Sequence, residues 1–307
     1  MILTVTLNTA LDLTYRVPAL RPYASHRVTE VIERPGGKGL NVARVLAALG
    51  HPVTATGLAG GATGRTVRQL LAGTSGLTDA LVEVSGPTRR TVAVVDAAGG
   101  DTTQLNEPGP HIGPAEWEEF TARYEELLRT ARAVALCGSL PPGVPVGAYA
   151  RLVRTARAAG VPVLLDTSGE PLRRGLAARP DLLKPNADEL AELTGSHDPD
   201  QAVREVRRRG GRTVVASLGA DGLLAATPEG RWRAAPPTRV HGNPTGAGDS
   251  AVAGLLSGLV EDAPWPERLT RAVALSAATV LAPGAGEYDA AAYADLRRQV
   301  KVTEADG

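Results

Sequence analysis

Residues 243–254 read NPTGAGDSAVAG and set one acidic side chain, Asp249, between a glycine turn and an apolar helix. Gly246 and Gly248 permit a tight turn without a Cβ clash, so successive backbone N–H groups can converge on an anion. The helix expected to follow aims the positive end of its dipole at the same point. Asp249 falls in its first turn, where the dipole favours the carboxylate and leaves it available as a general base. A phosphate held at this turn would lie beside a proton acceptor. An ordinary helix start with an acidic residue has the same pattern, so the remaining motifs must decide between the two.

A second glycine segment, GGKGLN at 36–41, also precedes a helical pattern. Its glycines let a ligand approach the backbone, Lys38 supplies a mobile cation, and Asn41 offers both a donor and an acceptor to sugar hydroxyls. It is not a Walker loop: no glycine stands five residues before the Gly-Lys pair, and Leu40 occupies the position where Ser or Thr would meet a metal. Four further motifs, CGSLPPG, LDTSGE, KPNADE and SLGADG, each follow a run that reads as a buried strand.

Positioning these motifs requires a sheet that ends them all on one side. Residues 2–8, 133–136, 161–165, 181–183 and 213–217 read as strands. Residues 41–49 carry Val42, Val45, Leu46 and Leu49 on one helical face stopped by Gly50, and Trp117, Phe120, Tyr124, Leu127 and Leu128 mark another helix. Alternation of strands and helices predicts a mostly parallel sheet with crossover helices, whose ligands bind at the carboxyl ends of the strands. Two β-rich excursions, 15–34 and 91–104, break the rhythm; the second folds back through AAGGD. Together they are expected to form a small sheet over the crevice, a lid that excludes water, with edge strands of the main sheet as the alternative.

Composition narrows the function classes. The 307 residues carry 33 basic and 33 acidic side chains, so no global field draws nucleic acid or an anionic membrane, and any anion must be met locally. One cysteine, Cys137, precludes an internal disulfide, and five histidines show no paired metal-ligand spacing. The amino terminus lacks the basic start of a secretory signal, and no apolar run approaches a membrane span, which leads to a cytoplasmic expectation.

With these motifs in hand, the chain resembles the ribokinase-like carbohydrate kinases, the PfkB family. GGKGLNVARVLAALG is similar to the family's amino-terminal signature and NPTGAGDSAVAGLLSGL to its carboxy-terminal one, with LNTALDLT, NEPGP, GSLPPG, KPNADE and SLGADG between them in the family's order. The resemblance implies an α/β fold: a three-layer α/β/α domain with a mostly parallel central sheet. It places lid segments at about 13–35 and 89–106, and in many members the lid contributes to a homodimer interface.

The resemblance also implies roles. Asp249 matches the catalytic base that takes a proton from a sugar hydroxyl as that oxygen attacks the γ-phosphorus of ATP, and Gly246, Ala247 and Gly248 match the anion hole. Asn186 and Glu189 match the motif that holds Mg2+ through water, although a helix starting after Pro185 with acidic first-turn residues reads the same. Asp12, Gly37, Lys38 and Asn41 are expected at the sugar, Arg89 at a phosphate already on it, Ser139 near that phosphate, and Arg27 at the same site or a neighbouring subunit's. Lys184, Asn186, Ser217, Gly219 and Gly222 match nucleotide positions, with residues 274–286 shaping the base pocket.

Two departures stand near these residues. Asn243 and Pro244 occupy positions where the family commonly has an aspartate and a threonine, and LNTA stands where close phosphofructose-acting relatives usually read LNPA. NEPGP, the TR pair and GSLPPG resemble the branch acting on ketohexose monophosphates. Fructose 1-phosphate is the expected acceptor, with tagatose 6-phosphate and fructose 6-phosphate as alternatives. A dinucleotide-binding oxidoreductase does not fit GAGDSAVAG, because the polar HGNPT before it is not a strand and no acidic residue closes a compact unit about 20 residues on. A catalytically silent sugar-phosphate sensor on the same fold remains the reading from a different class, against which the intact Asp249 stands.

Overall fold

The computed structural model describes residues 1–305 apart from Pro283, so that proline, part of the run expected to shape the base pocket, lies outside the described residues. The chain opens with β1 (Ile2–Thr6), β2 (Ala10–Val17), β3 (Glu30–Gly36), α1 (Lys38–Ala48), β4 (Val53–Gly60), α2 (Gly61–Ala72), β5 (Leu77–Asp79) and β6 (Val82–Val84). It continues through β7 (Arg89–Asp96), β8 (Thr102–Asn106), α3 (Pro114–Leu128), β9 (Ala133–Cys137), α4 (Ala148–Ala158), β10 (Val163–Asp166), α5 (Gly169–Ala177) and β11 (Leu182–Leu183). The last third holds α6 (Ala187–Thr194), α7 (Pro199–Arg208), β12 (Val214–Ser217), β13 (Leu223–Ala226), β14 (Arg231–Ala235), α8 (Ala247–Val260), α9 (Trp265–Val280), α10 (Ala290–Gln299) and β15 (Lys301–Glu304).

The large sheet runs β15-β14-β13-β12-β11-β10-β9-β1-β4-β5, with β6 also on β4. From β12 to β5 its pairings are parallel, and β13, β14 and β15 extend it antiparallel. Side chains alternate between two buried cores. Ile2, Ala133, Ala135 and Cys137 pack with α1, α2, α8 and α9. Leu3, Val5, Val134 and Leu136 pack with α3 to α7. This period of two, buried on both faces, explains the near-continuous apolar runs of the strands and makes the fold a three-layer α/β/α sandwich. Among the described residues no helix is long and apolar enough to cross a membrane.

The two excursions pair with each other and not with the main sheet, giving a separate four-stranded sheet in the order β3-β2-β7-β8. Asp96 Oδ1 accepts from the N–H groups of Ala98 and Gly99, and Gly100 turns at φ +75°, so β7 returns as the antiparallel β8. The first excursion begins earlier than residue 13. Asp12 lies within β2, because the chain turns at residues 7–9, where Thr9 Oγ1 donates to the Thr6 carbonyl. Helix α1 likewise starts at Lys38 and not at 41, because Gly37 at φ +101° caps it and its carbonyl accepts from Leu40 and Asn41. Gly50 closes the other end at φ +87°, donating to the Ala47 carbonyl.

Candidate active site

Strands β1, β9, β10, β11 and β12 run parallel, so the segments that follow them emerge along one edge of the sheet. Two of the cavities there adjoin the glycine turns. The smaller, about 200 Å³, is lined by Thr6, Asn8, Gly37, Lys38, Arg89, Cys137, Gly138, Ser139, Thr167 and Ser168. The larger, about 590 Å³, has Asn186, Ser217, Gly219, Gly222, Ala247 and Gly248 along one side and Ala277 and Val280 from α9 on another. CGSLPPG and LDTSGE thus serve one cavity, KPNADE and SLGADG the other.

Asp249 is buried directly after Gly248, which lines the larger cavity, and it pairs with Asn41, three residues after the Lys38 that lines the smaller. Gly246 takes a left-handed φ of +84° as the cap of α8, which brings Ala247, Gly248 and Asp249 into its first turn. Ala247 N–H closes the turn onto the Pro244 carbonyl, whereas the N–H groups of Gly246, Gly248 and Asp249 have no acceptor among the described residues. Asn41, from the first turn of α1, donates Nδ2 to Asp249 Oδ2 at 2.8 Å. Burial, reinforced by the charge of Asp166, raises the Asp249 carboxyl to about 7, against the pull of Lys38, Asn41 and Lys184. A carboxylate near neutrality in its proton affinity suits general-base work.

Asp166, at the end of β10, was not singled out from the sequence. It is buried to 1% exposure, and Lys38 Nζ approaches its Oδ1 at 3.2 Å and Lys184 Nζ its Oδ2 at 3.6 Å. Its Oδ2 has no hydrogen-bond partner. Only its place in LDTSGE, directly after a strand, pointed to it. Burial works to lower the Lys38 ammonium, but Asp166, Asp249 and Glu189 outweigh it and hold the group above an ordinary lysine. Lys184 Nζ also lies against Gly248, 3.7 Å from where a Cβ would stand, so two cations converge on the helix start.

Asn186 and Glu189 form a reciprocal helix cap. Glu189 N–H donates to Asn186 Oδ1 and Asn186 N–H to Glu189 Oε2, each at 2.8 Å, so the helix-start reading of this motif is realised in the geometry. Burial lifts the Glu189 carboxyl, opposed by the Asn186 N–H and Lys38 and assisted by Asp166. A backbone bridge ties Asn186 to Ser217, which places both on the wall of the larger cavity. Gly222, at φ +84°, passes so close to the Ala234 carbonyl that a Cβ would stand 2.1 Å from it.

In the smaller cavity, Arg89 reaches the Asn8 carbonyl through Nε at 3.3 Å and Thr91 Oγ1 through Nη1 at 3.2 Å. Asn8 Nδ2 donates to Ser139 Oγ at 3.0 Å, making Asn8 a second residue that sequence reasoning passed over. Asp12 packs against Gly36, which leaves no room for a Cβ, and burial pushes its carboxyl up against the pull of Arg89, Thr91, Arg44 and Arg34. Arg27 is not brought to this group. It lies exposed between β2 and β3 and makes no hydrogen bond or ion pair with the described residues. Asn243 and Pro244 build the approach to the turn: Asn243 Oδ1 accepts from Thr245 N–H at 3.0 Å and Asn243 N–H donates to the Val280 carbonyl at 3.0 Å. The amide thus forms its own turn, where no carboxylate is needed.

A sheet flanked on both faces, with a buried carboxylate and a helix start at its strand ends, is a frame that can hold an anionic ligand, and comparison with known proteins gives the class. The model for the pfkB family carbohydrate kinase matches residues 4–291, and the chain belongs to that family. It is a carbohydrate kinase, and the family implies ATP use, generally with Mg2+. A 1-phosphofructokinase of Rhodobacter capsulatus is 42% identical over 261 residues, covering 83% of this chain and 82% of that protein. Phosphofructokinase-2 of Escherichia coli, in complex with fructose-6-phosphate, superposes with a TM-score of 0.87 at 32% identity, covering 97% of this chain and 98% of that one. A "Possible 1-phosphofructokinase" of Thermotoga maritima gives 0.90 at 28% identity over 100% of both chains.

Proposed function

We propose that the protein transfers the γ-phosphoryl group of ATP to the free primary hydroxyl of fructose 1-phosphate, giving fructose 1,6-bisphosphate. The observation that carries this is a buried Asp249 that follows Gly248 of the larger cavity and is hydrogen-bonded to Asn41, three residues after the Lys38 that lines the smaller cavity with Arg89. The basic cavity suits a sugar that already bears phosphate, and the larger one suits a nucleotide. The 42% identity to a 1-phosphofructokinase favours fructose 1-phosphate over the 6-phosphates of fructose and tagatose.

In this reading Asp12, Asn41 and the backbone at Gly37 orient the sugar, while Arg89 and Ser139 hold its phosphate. The hydroxyl oxygen attacks the γ-phosphorus, the bond from that phosphorus to the β–γ bridging oxygen breaks, and ADP leaves with the bridging oxygen. The hydroxyl proton passes to Asp249, late in a loose transition state because an aliphatic alcohol is a poor acid. The free N–H groups at Gly246 and Gly248, with Lys38 and Lys184, offset charge on the transferred oxygens. Ala247 supports the turn through its bond to Pro244 and offers no free N–H to the anion.

Lys184, Asn186, Ser217, Gly219 and Gly222 line the nucleotide side. The donor set fits magnesium: Asp166 keeps a buried oxygen without a hydrogen-bond partner, and Glu189 uses one oxygen in its cap and retains the other. Asn186, Glu189 and Asp166 would hold the ion through water, and it would supply charge neutralisation on the phosphates when bound. The small sheet acts as the lid. Its exposed Val31 and Leu105, with Tyr23 and Val28 on the β2–β3 connection, form the homodimer face, across which Arg27 reaches a partner's site. The enzyme works in the cytoplasm.

A coupled ADP-release assay across fructose 1-phosphate, fructose 6-phosphate, tagatose 6-phosphate, fructose and ribose tests this reading. Fructose 1-phosphate should give the highest kcat/KM. Preference for another ketohexose phosphate reassigns the acceptor, and no turnover with any of them leaves the sensor reading.

A further inference from the structure

Glu287, in the loop between α9 and α10, lies outside every motif discussed above, yet it joins two guanidinium groups from different layers. Its Oε1 accepts from Arg34 Nε and from Arg44 Nη2, both at 2.9 Å, and its Oε2 accepts from Arg34 Nη2 at 3.3 Å. The arginine side chains are only 15% and 13% exposed, so this is a charge-assisted clamp with more hold than a solvated surface pair.

Each end of the clamp touches a different half of the site. Arg34 belongs to β3 and stands opposite Asp12 in the register of β2 and β3. Arg44 donates Nη1 to the Ala285 carbonyl at 3.0 Å, and Ala285 presses on the turn before Asp249: a Cβ on Gly246 would lie 2.8 Å from the Ala285 Cβ. Gly286, at φ +76°, threads between Arg44 and Asn41 with no room for a side chain. An unbroken series of contacts therefore runs from the strand of Asp12, through Arg34, Glu287, Arg44 and Ala285, to Gly246.

We propose that Glu287 is a positioning residue that couples occupancy of the acceptor site to the geometry of the anion-holding turn. This rests on the kinase reading given above. A sugar that draws on Asp12 shifts β2, and β3 moves with it because the two form an antiparallel ladder in register over seven residue pairs. Arg34 carries the shift to Glu287, and the close contact between Ala285 and Gly246 passes it to the turn. Coupling of this kind is a difference in free energy between two arrangements and is reciprocal, so acceptor and nucleotide must each alter the other's affinity.

The test uses the full chain with ATP and fructose 1-phosphate. Glu287→Gln and Arg34→Met should each lower kcat roughly tenfold to a hundredfold, as a small misplacement of reacting groups does, and raise the KM for ATP at saturating fructose 1-phosphate while leaving nucleotide binding without the sugar unchanged. Binding of a non-hydrolysable ATP analogue should tighten with fructose 1-phosphate in the wild type and lose that dependence in both variants. The double variant should be no worse than either single one, because both act through one contact. Arg90→Met breaks an exposed pair with Glu107 on the same sheet and should leave kcat and coupling intact. Wild-type coupling retained in Glu287→Gln and Arg34→Met, additive losses, or an active wild type without coupling would each overturn the proposal. A wild type that phosphorylates no ketohexose phosphate overturns the functional reading, and this inference with it.

Discussion

Asp249 is buried, and its carboxyl is raised to about 7 by desolvation first and by Asp166 second. If it is the base, kcat/KM should climb with pH through about 7 and then level, since that parameter follows the free enzyme. A profile flat from pH 5.5 to 8.5 removes Asp249 from the role. Asp249→Asn should retain ATP binding in calorimetry and cut kcat by roughly a hundredfold or more. Its effect on stability has a definite sign. A folded-state value above the unfolded 3.8 means that the stability associated with this group is full below about 4 and is lost as pH rises through about 7. Removing the charge should therefore raise Tm at pH 8 more than at pH 5. Arg89→Ala should raise the KM for the phosphosugar far more than that for ATP, and equal effects would reject its phosphate role. Asp249, Lys38 and Asn41 were legible because glycines mark their turns. Asp166 and Asn8 were not, because a buried aspartate after one strand and an asparagine after another acquire partners only when distant strands align.

At the scale of elements, the glycine at the start of α8 does two things at once. Gly246 sits at φ +84° and leaves no space beside Ala285, so Gly246→Ala introduces about 1–2 kcal/mol of left-handed strain plus a backbone clash. Expected outcomes are a Tm lowered by several degrees and a kcat loss exceeding any change in the KM for the sugar, read by thermal denaturation and steady-state kinetics. Helices α1 and α3 were readable from a period of 3.6, and β1, β9, β10, β11 and β12 from short continuous apolar runs, since those strands are buried on both faces; β4, β5, β6 and α2 were not named. The antiparallel extension β13 to β15 was not read. Its strands are four or five residues long, and β15 lies at the far end of the chain from the sheet centre it extends. The β14–β15 pairing, across about 70 residues, depends on packing that no local pattern records.

For the whole molecule, the small sheet carries exposed apolar side chains that the proposed second copy would cover. All five residues of β8 are exposed, with Leu105 at 59%, and Val31 of β3 is 57% exposed. Light scattering on the purified protein should give a dimer, and Leu105→Asp with Val31→Asp should shift it to monomer while each chain keeps its Tm within a few degrees. A monomeric wild type would reject the interface. What the sequence by itself determined is the local chemistry: left-handed glycines, helix starts, an acidic first turn and a strand–helix alternation that puts loops at strand ends. These depend on interactions within a few residues. The tertiary structure alone decided which groups meet: Asn41 with Asp249 across 208 positions, Lys38 with Asp166 across 128, and Arg34 with Glu287 across 253. Such contacts form only after the sheet has assembled and water has been expelled, and that burial is what turns Asp249 from an acidic helix start into a carboxylate with the proton affinity of a base.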